Sequence, residues 1–376
     1  MNGFPSFDHS PRTRIIFGDG AADGAGDLAR QIDVKKALLV TDPGVLAAGH
    51  AERVCKSLRA SKIDVVVFAS VRENPTTADV DACLAIARAG GFDGIIGLGG
   101  GSSMDTAKGC NFLLTNGGRM QDYWGVGKAA RPMLPLIAVP TTAGTGSECQ
   151  SFALIADAAT HQKMACGDPK AAARIAILDP SLTVSQPPRV AACTGIDALS
   201  HALETAVTRK RNALSLAYSR ESFRLCLNSL PRVLQKGADL EARAGMLVGA
   251  ALAGLAIENS MLGAAHAAAN PLTAHFHLVH GQAVGMMLPA VIRFNAEDPE
   301  TARIYEDLDL SLAAKVDELL NLAGMPHSLA DCGLKPSAIP QLAAEAAKQW
   351  TAGFNPRPVG EKDFVKLFEA AFNPRR

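Results

Sequence analysis

Aromatic side chains are scarce in this chain of 376 residues: they make up 5%, with two Trp and three Tyr. A recognition surface of stacked rings is therefore not expected. Net charge is missing too, since 37 basic side chains face 37 acidic ones. Nucleic acids and anionic membranes select basic patches, so neither is expected as the main partner. The eight cysteines include no C-x-x-C pair and match no zinc-ribbon spacing. Residues 1–12 lack a basic segment followed by an apolar run, the form of a secretion signal. Together with unpaired thiols, this predicts a reducing, cytoplasmic location. The most apolar stretch, 244–262, is interrupted by Glu258 and Asn259, so it reads as a buried helix and not as a membrane span. Gly and Pro are at ordinary levels, 34 and 21, which excludes fibrous and low-complexity chains.

What is present is an ordinary globular mixture, 48% hydrophobic and 20% charged. The length fits two domains, each able to bury a core. In the first half, short aliphatic runs alternate with helical stretches. Strands are expected at 36–41 (KALLVT), 64–69 (DVVVFA), 94–98 (GIIGL) and 134–139 (LPLIAV), with helices at 45–60 and 77–90. Alternation of this kind predicts an α/β domain with a parallel, Rossmann-like sheet covered by helices. After Pro187-Pro188 no convincing strand remains. Ala- and Leu-rich helices follow, punctuated by Pro231, Pro271, Pro289, Pro326 and Pro340. Residues 1–187 are therefore expected to form an α/β nucleotide-binding domain and residues 188–376 an all-helical one. No flexible linker separates them, so tight packing with a cleft between them is expected.

Three segments carry chemistry. Residues 97–105 (GLGGGSSMD) follow a strand and open a helix. Gly99, Gly100 and Gly101 let the backbone approach a phosphate with no Cβ in the way, and the next helix points its N–H groups at the anion. Ser102 can donate a hydroxyl. Asp105 belongs with this loop as a cofactor-binding candidate; its plainer role is to complement the helix dipole. Asp42 ends an earlier strand, where a carboxylate can accept both ribose hydroxyls and repel a 2′-phosphate. That favours NAD over NADP. The order is unusual, because the acid precedes the glycines, whereas in the common dinucleotide fingerprint it follows them. A second loop, 140–148 (PTTAGTGSE), offers Thr141, Thr142 and Thr145 to a nicotinamide or a phosphate. Each loop also has a plainer reading, as a tight turn or a capped helix start.

Five of the nine histidines lie between 201 and 280. Asp197 and His201 are four apart in a helical stretch and share a face. With His266 and His280 they make one carboxylate and three imidazoles, a set able to bind a divalent first-row metal and leave a position for an oxygen ligand. A helix-face ion pair between Asp197 and His201 is the competing explanation.

The motifs at 99–108 (GGGSSMDTAK), 140–148, 178–188 (LDPSLTVSQPP), 195–204 (GIDALSHALE) and 266–281 resemble those of the iron-containing (group III) alcohol dehydrogenases, with a dehydroquinate-synthase-like fold. They keep that family's order, and the likeness runs from about Arg14 to Asn373. It implies that Asp197, His201, His266 and His280 hold Fe²⁺, a set that would also accept Zn²⁺. It implies an NAD site lined by Asp42, Gly99, Gly100, Gly101, Ser102, Thr141, Thr142, Thr145, Lys163 and Leu182. It further implies a homodimer or larger assembly, with the strand near Arg14 to Phe17 at the interface. One position departs: many members carry a proton-relay His four residues after the third ligand, where this chain has Asn270. Water, ribose hydroxyls, His275 or His277 would have to serve instead. Residues 149–152 (CQSF) also depart from the common pattern, and Cys149 adjoins the active-site loop.

The expected reaction is reversible, NAD-linked oxidation of a small primary alcohol to an aldehyde in the interdomain cleft. Phe152 and Ile257 are candidates for the apolar substrate wall. Two alternatives share the fold: a dehydroquinate-synthase-like lyase that recycles NAD, and a maleylacetate-type oxo-acid reductase. The second would need cationic contacts such as Lys128, Arg131 or Arg211.

Overall fold

The computed structural model describes residues 6–160 and 162–373. The described residues form two compact units, one of residues 10–186 and one of residues 187–373 with those before Ser10. His9 belongs with the second, where its Nδ1 lies 3.1 Å from Asn259 Oδ1.

The first unit is α/β. Strands β1 (Arg14–Phe17), β2 (Lys36–Val40), β3 (Asp64–Phe68) and β4 (Gly94–Gly99) are followed by β5 (Gly125–Val126), β6 (Leu136–Pro140), β7 (Phe152–Ala156), β8 (Lys163–Gly167) and β9 (Ile175–Leu178). Six of them form a parallel sheet in the order β1-β9-β6-β4-β2-β3. Its central strands are apolar without alternation because both faces are covered. Leu38, Val40, Ile95, Leu136 and Ala138 join one core cluster; Ala37, Leu39, Ile96, Leu98, Ile137 and Val139 join the other. The four expected strands are present, the last starting two residues later and ending one residue later than expected. Strand β9 and the small sheet β5-β8-β7, whose first strand has only two residues, come in addition to the expected strands.

The chain order defines a switch point. From β2 the chain steps outward to β3, then returns to the other side of β2 for β4, and continues to β6 and β9. In open parallel sheets, the crevice at the carboxyl ends of the strands flanking such a point is where ligands bind.

The second unit has no strand among its described residues. Its longest helices are Pro188–Val207, Ala213–Gln235 and Leu240–Ser260, followed by Ala264–Phe276 and His280–Asn295. The prolines punctuate less than expected: Pro231, Pro271 and Pro289 lie inside helices. A proline inside a helix forfeits one backbone hydrogen bond, and these helices are packed against their neighbours along a buried face. Leu240–Ser260 is long and apolar enough to cross a membrane, but most of its apolar stretch is buried among neighbouring helices. Seven of the eight cysteines are buried, Cys149 included, and none forms a disulfide.

Candidate functional site

Three loops meet at the switch point of the sheet. Val40 is level with Gly97 across β2 and β4, and Gly99 is level with Pro140 across β4 and β6. Two residues beyond β2, Asp42 therefore reaches the height of Gly99. The Ser103 hydroxyl donates to Asp42 Oδ2 at 3.4 Å, and the backbone N–H of Thr141 donates to the carbonyl of Gly99 at 2.9 Å. Gly99 and Gly101 are required by space. A Cβ on Gly99, whose φ is +146°, would lie 2.4 Å from Ser103 Oγ, and one on Gly101 would lie 2.7 Å from Thr145 Cγ2. The helix Gly101–Asn116 begins here with no side-chain cap. Asp42 Oδ1 caps its own short helix, Pro43–Ala47, accepting from the N–H groups of Gly44 and Val45 at 2.9 and 3.0 Å. Its other oxygen faces the glycines.

The structure thus gathers Asp42, Gly99, Gly100, Gly101, Thr141, Thr142 and Thr145. Ser102 lies in the same turn and accepts from the N–H of Asn74 at 3.3 Å. Three other candidates are placed differently. Asp105 is buried and accepts from the Ser147 hydroxyl at 3.0 Å. Lys163 opens β8 of the small sheet, close enough to Asp105 for its charge to be felt. Leu182 is wholly buried in a core cluster with Leu39, Ile96 and Val139, so its side chain packs and offers no surface.

Sequence reasoning assigned no role to Lys108, four residues into the helix beyond Met104. It has no exposed surface, and its ammonium donates to Ser147 O, Ser147 Oγ, Gln150 O and Phe152 O at 2.6–2.9 Å. It pins the far end of the 140–152 loop. Glu148 on that loop is buried, and its Oε1 has no hydrogen-bond partner. Burial pushes its carboxyl up to about 7, with Lys108 opposing in part.

In the helical unit the metal-ligand candidates converge. Asp197, His201 and Glu204 stand at i, i+4 and i+7 on the buried face of Pro188–Val207. His266 is in the first turn of Ala264–Phe276, and His280 opens His280–Asn295. The Nε2 atoms of His266, His201 and His280 lie 3.5, 3.6 and 3.9 Å from one oxygen, Asp197 Oδ1. The rings of His201 and His266 stack at 4.7 Å. Gly281 makes the approach possible: a Cβ there would sit 2.0 Å from Cys193 O and 3.2 Å from Asp197 Cβ.

The electrostatics favour a cation. Burial would raise the Asp197 carboxyl, but the three imidazoles hold it well below the usual range. Burial would lower His266, yet Glu204 and Asp197 raise it to about 9. Asp197 Oδ1 and His266 Nε2 are both buried without a hydrogen-bond partner. Ligands around a metal at about 2.1 Å stand roughly 3.4 Å apart; the ligand atoms of Asp197, His201 and His266 all lie within 4.8 Å of one another, and His280 Nε2 comes to 3.9 Å from Asp197 Oδ1. The residues fit a divalent metal.

Asn270 donates to Gln349 Oε1 at 3.0 Å, and His275 pairs with Glu345 at 2.7 Å on an exposed face. Ile257 is buried within its helix, and Phe152 lies in β7 beside Gly167. Arg211 pairs with Glu300, while Lys128 and Arg131 are exposed.

Two family models match this chain: iron-containing alcohol dehydrogenase over residues 11–180, and the C-terminal domain of the same family over residues 191–372. The NAD-dependent methanol dehydrogenase of Bacillus methanolicus is 34% identical over 95% of this chain and 97% of its own length. The choline dehydrogenase of Bacillus subtilis is 36% identical over 96% of this chain and 94% of its own. A crystal structure of 1,3-propanediol oxidoreductase superposes with a TM-score of 0.94 at 32% identity, covering 98% of this chain and all of that one. The chain belongs to the iron-containing alcohol dehydrogenase family, and it is an oxidoreductase.

Proposed function

We propose that this protein catalyses the reversible NAD-linked oxidation of a small primary alcohol to an aldehyde, with a divalent metal, iron by family, held by Asp197, His201, His266 and His280. The observation that carries the reading is the convergence of three imidazole Nε2 atoms within 3.5–3.9 Å of Asp197 Oδ1. When bound, the metal supplies Lewis acidity that favours the alkoxide form of the alcohol. Asp197 is held as a carboxylate, and the Nε2 atoms of the three imidazoles converge on it. NAD bound at the sheet loops would supply the acceptor for the carbinol hydride.

The cofactor is assigned to the loops at the sheet switch point. The uncapped start of Gly101–Asn116 suits a pyrophosphate, and Thr141, Thr142 and Thr145 offer hydroxyls. Asp42 Oδ2 suits ribose hydroxyls and repels a 2′-phosphate. Because the Asn270 amide cannot act as a base near neutral pH and His275 is paired with Glu345, the proton relay falls to water, a ribose hydroxyl or His277.

Replacing His266 with Ala tests the centre: metal content and turnover should both collapse, and retention of both would refute the reading. The particular alcohol is to be sought with a panel, since relatives of similar identity carry the names of different substrates. A homodimer or larger assembly in the cytoplasm completes the proposal. Ile15 and Phe17, exposed on edge strand β1, support the assembly; a monomer in sedimentation would exclude it.

A further inference from the structure

We propose that Glu204 is the positioning residue of the metal centre: its carboxylate holds the His266 ring through Nδ1, so that Nε2 is the nitrogen turned toward Asp197. The inference rests on the metal reading above and adds a residue to it. Glu204 is buried, and its two oxygens serve three groups. Oε1 accepts from the N–H of Ala265 at 2.7 Å. Oε2 accepts from the N–H of Gly263 at 3.1 Å and meets His266 Nδ1 at 2.6 Å. Three donors on two oxygens leave the carboxylate little freedom to swing. A Cβ at position 263 would press on the same carboxylate, lying 3.0 Å from both Glu204 Oε1 and Asn355 Oδ1.

An imidazole that gives its Nδ1 proton to a carboxylate keeps its lone pair on Nε2, the form that ligates a cation, and becomes a more basic ligand. The competing explanation is that Glu204 merely caps the helix Ala264–Phe276. A neighbour isolates that role. Asn355 Oδ1 accepts from the N–H of Ala264 at 3.2 Å, and the Asn355 amide donates to Asn295 Oδ1 and to the carbonyl of Arg357. Asn355 therefore supports the same helix end without bonding to His266.

The test compares wild type, E204Q and N355A, stripped of metal and titrated with Zn²⁺ against a competing chelator, with Tm measured in parallel. E204Q keeps the size but presents one amide NH₂ to a donor, so it cannot satisfy all three partners. It should weaken Zn²⁺ binding about 10–100-fold. N355A should lower Tm and leave Zn²⁺ affinity near wild type. Wild-type affinity in E204Q, or equal loss in both variants, would overturn the proposal. Failure of wild type itself to bind Zn²⁺ would overturn the metal reading and this inference with it. Should E204Q not fold, nitrogen NMR of Zn²⁺-loaded wild type decides: a protected, downfield proton on His266 Nδ1 supports the bond, and a rapidly exchanging one refutes it.

Discussion

Both units bury a polar cluster, and the two clusters solve opposite problems. In the helical unit, the carboxylates of Asp197 and Glu204 face imidazoles, and both are held below their usual range despite burial. In the α/β unit, Asp105 and Glu148 lie near a buried ammonium, Lys108, and yet both are raised. Distance alone does not explain this. An ammonium has three N–H groups, and those of Lys108 are directed to four acceptors between Ser147 and Phe152. Little is left for the carboxyls, so desolvation prevails. That cluster already contains its cation and acts as a latch on the 140–152 loop. The helical cluster sets two carboxylates against three imidazoles, so it is completed by a proton on His266 or by a divalent ion. Burial of charge is tolerated in both places, and only one of them is built to take up a cation from outside.

The contrast can be broken most sharply at its metal-seeking side. His266→Ala should abolish metal retention and lower turnover about ten-thousandfold, a barrier increase of roughly 5 kcal/mol. Metal analysis and turnover check it, and a drop below tenfold would mean that this cluster is no more than another latch. Lys108→Met should destabilise the α/β unit by about 4 kcal/mol, since buried carbonyls and a hydroxyl lose their donor. Denaturant unfolding reads this, and added metal should not restore it. A restoration by metal would erase the distinction between the two clusters.

Glu148 gives a pH-dependent test of the latch. Its carboxyl binds a proton more tightly when folded than at its ordinary value of 4.5, so the stability present below that pH is lost as pH rises through about 7. Wild type should therefore lose up to about 3 kcal/mol relative to Glu148→Gln between pH 4.5 and 8. Parallel unfolding curves for the two proteins across that range would refute the desolvation argument. The smallest effect is expected at the exposed end of the α/β unit. Asp42→Gly should narrow the preference for NAD over NADP about tenfold in kcat/KM, roughly 1.4 kcal/mol. It should cost only tenths of a kcal/mol in stability, because Gly is a tolerable helix cap. An unchanged cofactor ratio would show that Asp42 only caps Pro43–Ala47.

The two sites were unequally legible. The glycine and threonine loops are contiguous in the chain, and each sits at a strand end that an aliphatic run announces, so residues 97–105 and 140–148 could be read locally. The unusual position of Asp42 before the glycines made sense only from the strand order: β2 and β4 are neighbours across the switch point, which puts residue 42 beside residue 99. Asp197 and His201 were legible as a helical pair. Glu204, on the same face, drew no attention because a Glu three residues after a His is unremarkable until Gly263 and Ala265 are seen to donate to it. Lys108 was passed over because a lysine in a helix is normally solvated, and only the folded chain surrounds it with carbonyls.

What the sequence determined by itself is therefore the class of each unit and the identity of the polar groups: alternating apolar runs for the sheet, glycines where no Cβ fits, and imidazoles and carboxylates able to share a cation. These follow from short-range periodicity and from side-chain chemistry. What only the tertiary structure decided is which of those groups meet. Gly281 lets the His280 helix close on Cys193 and Asp197, Glu204 reaches His266 across 62 positions of chain, and Leu182 turns inward to the core. Such pairings depend on how helices and strands pack over long separations, and no local pattern of residues encodes that.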